Sequence, residues 1–274
     1  MIFVRPFLKW AGGKTRLVDR IKEKLAANGT RLIEPFAGSC ALSLNCDRYE
    51  RYWLNDVNKD LINLYLALRD NGNDFIDYCH SFFTAENNTS ERYYEFRETF
   101  NATTDVAKRS AIFLYLNRHG FNGLCRYNNS GGFNVPFGKY KAPYFPQNEM
   151  EYFSRKFAAA RFTCLDFRAV MLESEVGDVV YCDPPYVPIS DTASFTEYST
   201  GGFGLEDQKR LAEYARELSE RGVVVIISNH HNSFTSEIYR GALLDVFSVQ
   251  RFISCDGRNR NSVDEVLAVF NNAV

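Results

Sequence analysis

The residues with the most pointed chemistry lie in "YCDPPY", Tyr181 to Tyr186, at the end of the apolar run "GDVVYCDPPY" (177–186). Ligands of open α/β sheets bind at the carboxyl ends of strands. A carboxylate followed by two prolines and a ring suits methyl transfer to an exocyclic amino group. That nitrogen's lone pair is delocalised into its ring, so it is a poor nucleophile. Two acceptors taking its N–H groups would turn it toward tetrahedral geometry and free the lone pair. Asp183 and the Pro184 carbonyl fit the acceptor roles, Pro185 stiffens the exit, and Tyr186 offers a face for stacking. The plainer alternative is a rigid strand exit, with Asp183 capping a turn and the prolines ending the ladder.

Such a reaction needs a methyl donor. "EPFAGSCAL" (34–42) places a glycine turn and small residues after an apolar run, a cradle for a nucleoside-type ligand. Asp56 follows 18 residues after Gly38, about where doubly wound folds place the acid that binds ribose hydroxyls. Near the start, "FLKWAGGKT" (7–15) invites comparison with a triphosphate-binding loop, but Leu8 stands where the first glycine of that pattern belongs. Gly12 and Gly13 then signal a tight turn or a close approach to a ligand. No Gly-x-Gly-x-x-Gly follows a strand, which argues against a dinucleotide oxidoreductase.

The elements that must position these residues are legible as a pattern. Four short β-rich runs, 31–38, 51–58, 177–186 and 222–230, suit buried parallel strands. The stretches 14–29, 58–72 and 204–222 read as amphipathic helices, and 245–254 with 264–271 as a terminal antiparallel hairpin. The expected architecture is α/β: a Rossmann-like doubly wound sheet, with a mainly helical module inserted between the second and later strands. Residues 1–58 and 147–274 are assigned to the catalytic domain and 59–146 to the insert. The chain of 274 residues is 45% hydrophobic with net charge −2, consistent with a globular core and pointing to no particular partner. No apolar run reaches membrane-spanning length and no signal peptide is visible, so a cytoplasmic location is expected. Seven cysteines form no Cys-x-x-Cys pair, which favours reduced thiols over a zinc site or disulfide framework.

The insert is charge-asymmetric. From Val106 to Asn148 there is no Asp or Glu, while Lys108, Arg109, Arg118, Arg126, Lys139 and Lys141 are present. Nine aromatics are interleaved with them, among them Phe121, Tyr127, Phe133, Phe137 and Tyr140. Cations neutralise phosphates and aromatics stack on bases, so the block reads as a nucleic-acid footprint. The alternative is a satellite aromatic core with a solvated basic rim.

Taken in order, "FLKWAGGK", "EPFAGS", Asn55-Asp56, "LYLNRHGFNGLCRYN" (114–128), "FNVPFGKYKAPYFP" (133–146), "VVYCDPPY" and "ISNH" (227–230) closely resemble the Dam family of DNA adenine methyltransferases. The resemblance spans nearly the whole chain and follows the α-class order of donor motif, recognition insert and DPPY. It implies methyl transfer from S-adenosylmethionine to adenine N6 in double-stranded GATC, by a monomeric enzyme without a metal. It links the chain to DNA replication, mismatch repair or restriction-modification. By the same carry-over, Trp10, Lys14, Phe36, Gly38, Asp56 and Asp183 hold the donor, and Asp183, Pro184, Pro185 and Tyr186 form the transfer site. Lys9 and Arg126 would reach guanine, and Leu124 and Pro136 make apolar base contacts. Arg97, Arg118, Asn122, Asn128, Asn134, Tyr140 and Lys141 complete the DNA surface. Phe121 stands where the family commonly has tyrosine, and its ring would enter the stack as adenine is flipped out, since N6 is paired inside the duplex. Cys40 stands where the family prefers glycine. The stretch 191–204, with Phe195, Tyr198 and Phe203, is expected to close over the flipped base, and Arg258 and Arg260 to touch phosphate. Cytosine N4, RNA, or DNA binding without catalysis are the competing readings.

Overall fold

The structure, a computed structural model, describes residues 3–27, 29–187, 202–250 and 262–271. The short apolar runs become strands β1 (Arg31–Glu34), β2 (Arg51–Asn55), β3 (Arg161–Thr163), β4 (Asp178–Cys182), β5 (Val224–His230), β6 (Leu243–Gln250) and β7 (Ser262–Phe270). They form one sheet in the order β3-β2-β1-β4-β5-β7-β6. β1 runs parallel to β4, with Leu32 opposite Val179, and β4 parallel to β5, with Val180 opposite Val225. β7 lies antiparallel to both β5 and β6. The order reverses between β1 and β4, which makes their carboxyl ends the switch point where such sheets take ligands. Every residue of β4 is buried, as expected for a central strand covered on both faces.

The strands end earlier than the apolar runs suggest. β1 stops at Glu34 because Pro35 cannot donate to a ladder, and β2 stops at Asn55, one residue before Asp56. β3 escapes sequence reading, being three residues long with no alternation. Helix α1 (Val18–Lys24) begins four residues after Lys14, which lies in a preceding turn. Helix α3 (Lys59–His80) runs past the expected end at Gly72, which breaks the helical backbone at φ 49°, ψ −122°, because Phe75, Ile76 and Cys79 beyond it are buried. Short helices α2 (Ala41–Leu44), α7 (Phe167–Leu172) and α9 (Ser233–Ile238), with α6 (Gln147–Lys156), were not anticipated. Helix α8 (Leu205–Glu220) matches the amphipathic stretch 204–222, and α4 (Ser90–Ala102) and α5 (Val106–His119) are helices of the segment expected to be mainly helical. Among the described residues no helix is long and apolar enough to cross a membrane.

The chain divides into two compact units. One comprises Met1–Asp19, Ala37–Asp47 and Arg51–Cys164; the other comprises Arg20–Phe36, Arg48–Glu50 and Leu165–Val274. In the first, α3 packs on α5 and α6, and α4 on α5. Asn58 caps α3 through the Leu61 N–H (3.0 Å), and Asp105 caps α5 through the Lys108 N–H (3.0 Å). Three of the nine aromatics of the acid-free block, Phe113, Tyr115 and Phe133, are buried in this interior, and Tyr127, Phe137, Tyr140 and Phe145 are half-buried. Phe133 is buried against Phe100 and Phe113, and Phe137 lies on Tyr93. Arg109 is likewise structural: it forks onto Asp60 (2.5 and 3.1 Å) and caps the Phe100 carbonyl. In the second unit, Arg31 stands opposite Asp178 in the β1–β4 register and forks onto it at 2.9 and 2.6 Å. Leu211, Ala212, Ala215 and Leu218 are the buried face of α8, which packs on β5.

Arg109→Ala separates architecture from phosphate binding. Arg109 is half-buried and Asp60 also accepts the Tyr127 hydroxyl at 2.7 Å, so removing the guanidinium should cost about 1.5–3 kcal/mol, the worth of hydrogen bonds to a charged group. Chemical denaturation should show a loss of this size; unchanged stability with weakened DNA binding would return Arg109 to the nucleic-acid surface.

Candidate active site

In the first unit the donor loop is built around Gly38. Its backbone has φ +46°, and a Cβ there would meet Trp10 Nε1 at 2.9 Å, so the indole covers a position only glycine can occupy. The Gly38 N–H donates to Asp56 Oδ2 (3.0 Å), and its carbonyl accepts the Tyr65 hydroxyl (2.6 Å). Asp56 Oδ1 accepts the Asn58 N–H at 2.9 Å. Burial pushes the Asp56 carboxyl above its usual range, and the two backbone donors pull the other way without cancelling it. Gly12 (φ +75°) and Gly13 make the expected tight turn, closed by the Gly13 N–H on the Trp10 carbonyl at 3.3 Å, and Lys14 Nζ folds back to the Gly12 carbonyl at 2.8 Å. Cys40 is buried with left-handed backbone, φ 57° and ψ 29°, a conformation that favours glycine.

In the second unit, Asp183 follows β4 and is fixed by Ser228 of β5, whose hydroxyl donates to Asp183 Oδ1 at 2.8 Å and also contacts the Tyr181 hydroxyl at 3.1 Å. The Pro184 carbonyl accepts no hydrogen bond from any described residue. The Pro185 carbonyl, by contrast, is held by Gln208 Nε2 at 2.7 Å. Asn229 ties down Val187, two residues further on. Its Oδ1 accepts the Val187 N–H (3.1 Å), while its Nδ2 reaches Gln208 Oε1 and the Tyr239 hydroxyl, both at 3.0 Å. The Tyr186 ring meets His230 edge-on at 4.8 Å, and its hydroxyl donates to Glu265 at 3.3 Å. Burial and the Asp183 charge raise the Tyr186 phenol, which therefore stays neutral. None of Ser228, Asn229, Gln208, His230 or Glu265 had a role assigned from the sequence. The signal was present as "SNH": polar residues ending an otherwise apolar buried strand.

Phe36 packs on Phe167 (5.5 Å) and Phe203 (5.4 Å). Phe203, expected in a loop closing over a base, thus belongs to this aromatic cluster just before α8. Phe195, Tyr198, Arg258 and Arg260 lie outside the described residues.

The recognition residues of the first unit fall into two groups. Phe121, Asn122, Arg126, Asn128, Pro136 and Lys141 are exposed. Arg126 rests on Asn134, with Nε donating to Oδ1 (2.8 Å) and Nη2 to the backbone carbonyl (3.2 Å). Asn128 Oδ1 is engaged in its own turn by the Ser130 and Gly132 N–H groups at 3.0 and 2.9 Å. The others are half-buried and tied to the fold. Leu124 follows the 3-10 turn Phe121–Gly123. Arg97 donates to the Val135 carbonyl (3.3 Å) and Arg118 to the Tyr144 carbonyl (2.9 Å). Lys9 Nζ lies 4.0 Å over the Tyr140 ring, and the Tyr140 hydroxyl accepts the Asn122 N–H at 3.0 Å. Burial, then the Arg118 charge, lowers the Lys9 ammonium pKa.

Residues 10–253 match the family described as D12 class N6 adenine-specific DNA methyltransferase. The chain belongs to this family. It is 49% identical over 267 residues to a DNA adenine methylase of Vibrio cholerae, covering 97% of this chain and 96% of the relative. It is 48% identical over 266 residues to that of Escherichia coli K12, covering 97% and 95%. A D12-class enzyme transfers a methyl group to adenine N6 of DNA, and the donor is S-adenosylmethionine. The residues present are compatible with that ligand: the left-handed Gly38 turn brings bare backbone against the Trp10 indole, and beside it Asp56 is a carboxylate held by two backbone N–H groups.

Two outcomes test this D12-class site. Asp56→Ala should weaken donor binding by about 1.5–3 kcal/mol in calorimetry, the worth of hydrogen bonds to a charged group. In the wild type, the raised Asp56 pKa sets the sign with pH. Donor affinity should fall as pH drops through a value above the usual 3.8, because protonation removes an acceptor. A donor affinity that ignores Asp56 and acid would remove it from the site. Ser228→Ala should lower kcat roughly tenfold with little change in either KM, because one charge-assisted bond of about 1.5 kcal/mol orients Asp183; an unchanged kcat would show that the carboxylate orients itself.

Proposed function

We propose that the enzyme methylates adenine in double-stranded GATC after flipping the base from the helix. The observation that carries this is the pair of acceptors after β4: a carboxylate held by Ser228, followed by a Pro184 carbonyl with no donor among the described residues. Adenine N6 has two N–H groups, and these two oxygens take one each. The nitrogen is then drawn from planarity and its lone pair is released for attack. Tyr186, braced by His230 and Glu265, offers its face to the base. S-adenosylmethionine, when bound, would supply an electrophilic methyl group on a sulfonium: the carbon–sulfur bond breaks as the N6–carbon bond forms, and the surplus N6 proton leaves to solvent past Asp183. Trp10, Lys14, Phe36, Gly38 and Asp56 would hold it, with Asp56 offering acceptors for ribose hydroxyls.

Residues 59–146, with Lys9, read the DNA. Phe121 is 48% exposed, which leaves its ring accessible, and it fills the stack vacated by adenine. Extrusion costs a few kcal/mol, offset by stacking and pocket contacts. Arg126 and Lys9 read guanine, and Leu124 and Pro136 touch base edges. Arg97, Arg118, Asn122, Asn128, Asn134, Tyr140 and Lys141 grip the backbone or shape the readers. The enzyme works as a monomer, without a metal, on DNA in the cytoplasm.

DNA from cells expressing the protein should resist a restriction enzyme blocked by GATC adenine methylation, and Asp183→Ala should abolish that resistance. Purified Arg126→Ala should lose about 1–3 kcal/mol of discrimination at one base pair, measured as kcat/KM on GATC and its single-base variants. Lys141→Ala should instead weaken all sequences alike and reduce the salt slope by about one. Full cleavage of DNA from wild-type cells would refute the GATC assignment, and a uniform loss in Arg126→Ala would move that arginine to the backbone contacts.

A further inference from the structure

Asn117 of α5 is 1% exposed, and its side chain makes three hydrogen bonds, none within its own helix. Its Oδ1 accepts the Lys9 N–H (2.9 Å), and its Nδ2 donates to the Lys9 carbonyl (2.7 Å) and to the Gly123 carbonyl (3.2 Å). The amide orientation follows from its partners, since a flipped group would set its NH2 against the Lys9 N–H. The side chain thus grips both polar groups of Lys9's backbone, as a neighbouring strand would, and ties them to the recognition turn. Gly123 is pressed against the same lysine. It has φ +64°, and a Cβ there would lie 2.3 Å from Lys9 Cβ and 2.5 Å from Cδ.

We propose that Asn117 is a positioning residue for base discrimination: it locks Lys9 to the Gly123 turn, so that the N-terminal loop and the recognition turn present their side chains to DNA in one register. The residues on either side of the lock are the proposed readers. Lys9 is on one strand of chain, and Phe121, Asn122 and Leu124 flank Gly123 on the other. No charge and no exposed group is contributed by Asn117 itself, so its effect on DNA runs through Lys9 and the turn. This rests on the reading above that Lys9 contacts guanine.

Asn117→Asp is the isosteric test, because it removes both donors and sets a carboxylate against two carbonyls. Gly123→Ala attacks the same contact by bulk, with Asn117 intact. The readout is the ratio of kcat/KM on GATC to that on single-base variants, with thermal unfolding and nonspecific DNA affinity measured alongside. Both variants should lower the ratio at the guanine pair read by Lys9 at least tenfold, and should leave nonspecific affinity and its salt slope as in the wild type. A variant that is unstable but keeps the wild-type ratio overturns the proposal, as does an equal fall on every sequence. Lys9→Ala tells the two levels apart. If its own ratio is unchanged at every pair, the guanine reading of Lys9 has failed; if its ratio falls while those of Asn117→Asp and Gly123→Ala hold, the lock alone has failed.

Discussion

The donor loop depends on one peptide unit. Gly38 has its N–H on Asp56, its carbonyl on the Tyr65 hydroxyl, and an indole where a side chain would be. Each constraint requires another part of the first unit to be in place. Asp56 must leave β2 in the right direction, Tyr65 must face inward from α3, and Trp10 must be delivered by the Gly12-Gly13 turn. A backbone donor also fixes a carboxylate without competing for it as a cation would. The acid is thereby held rigid by two backbone N–H groups, and burial strengthens the hydrogen bonds it accepts.

The second unit solves the complementary problem of holding a proline-rich exit still. Two prolines cannot anchor themselves through N–H groups, so β5 and α8 supply side chains instead. Gln208 and Asn229 hold the carbonyl of Pro185 and the N–H of Val187. These amides are buried and mutually bonded, and a fully satisfied buried network rigidifies what it touches. The same network leaves out the Pro184 carbonyl, which takes no hydrogen bond among the described residues, as its proposed acceptor role requires.

The strands and the glycine turns were legible because hydrophobic burial and positive φ leave strong local marks: "VVVII" fits little other than a buried strand, and Gly38 could be picked out by its neighbours. What was not legible depends on distance in sequence. The three-residue β3 has no period to detect, and Ser228 acquires meaning only when β5 lies beside β4. The acid-free block was misleading in part for the same reason. Arg109 looked like a phosphate ligand until its partner, Asp60, arrived from 49 residues away, and Phe133 looked like a stacking ring until α4 and α5 enclosed it. Exposure, which sequence does not report, separates Phe121 and Arg126 from them.

Arg126 reaches no solvent-only state: its guanidinium already shares two hydrogen bonds with Asn134. In its proposed role this changes what the arginine does while the enzyme travels along DNA. An unengaged guanidinium would cling to any stretch of duplex and slow the search. One satisfied by its own protein gains only where a base edge offers two acceptors in matching geometry, as guanine does. Elsewhere the exchange is a loss. For an arginine in that proposed role, the Asn134 contact would act as a threshold, ranking sites against one another instead of tightening the hold on all of them.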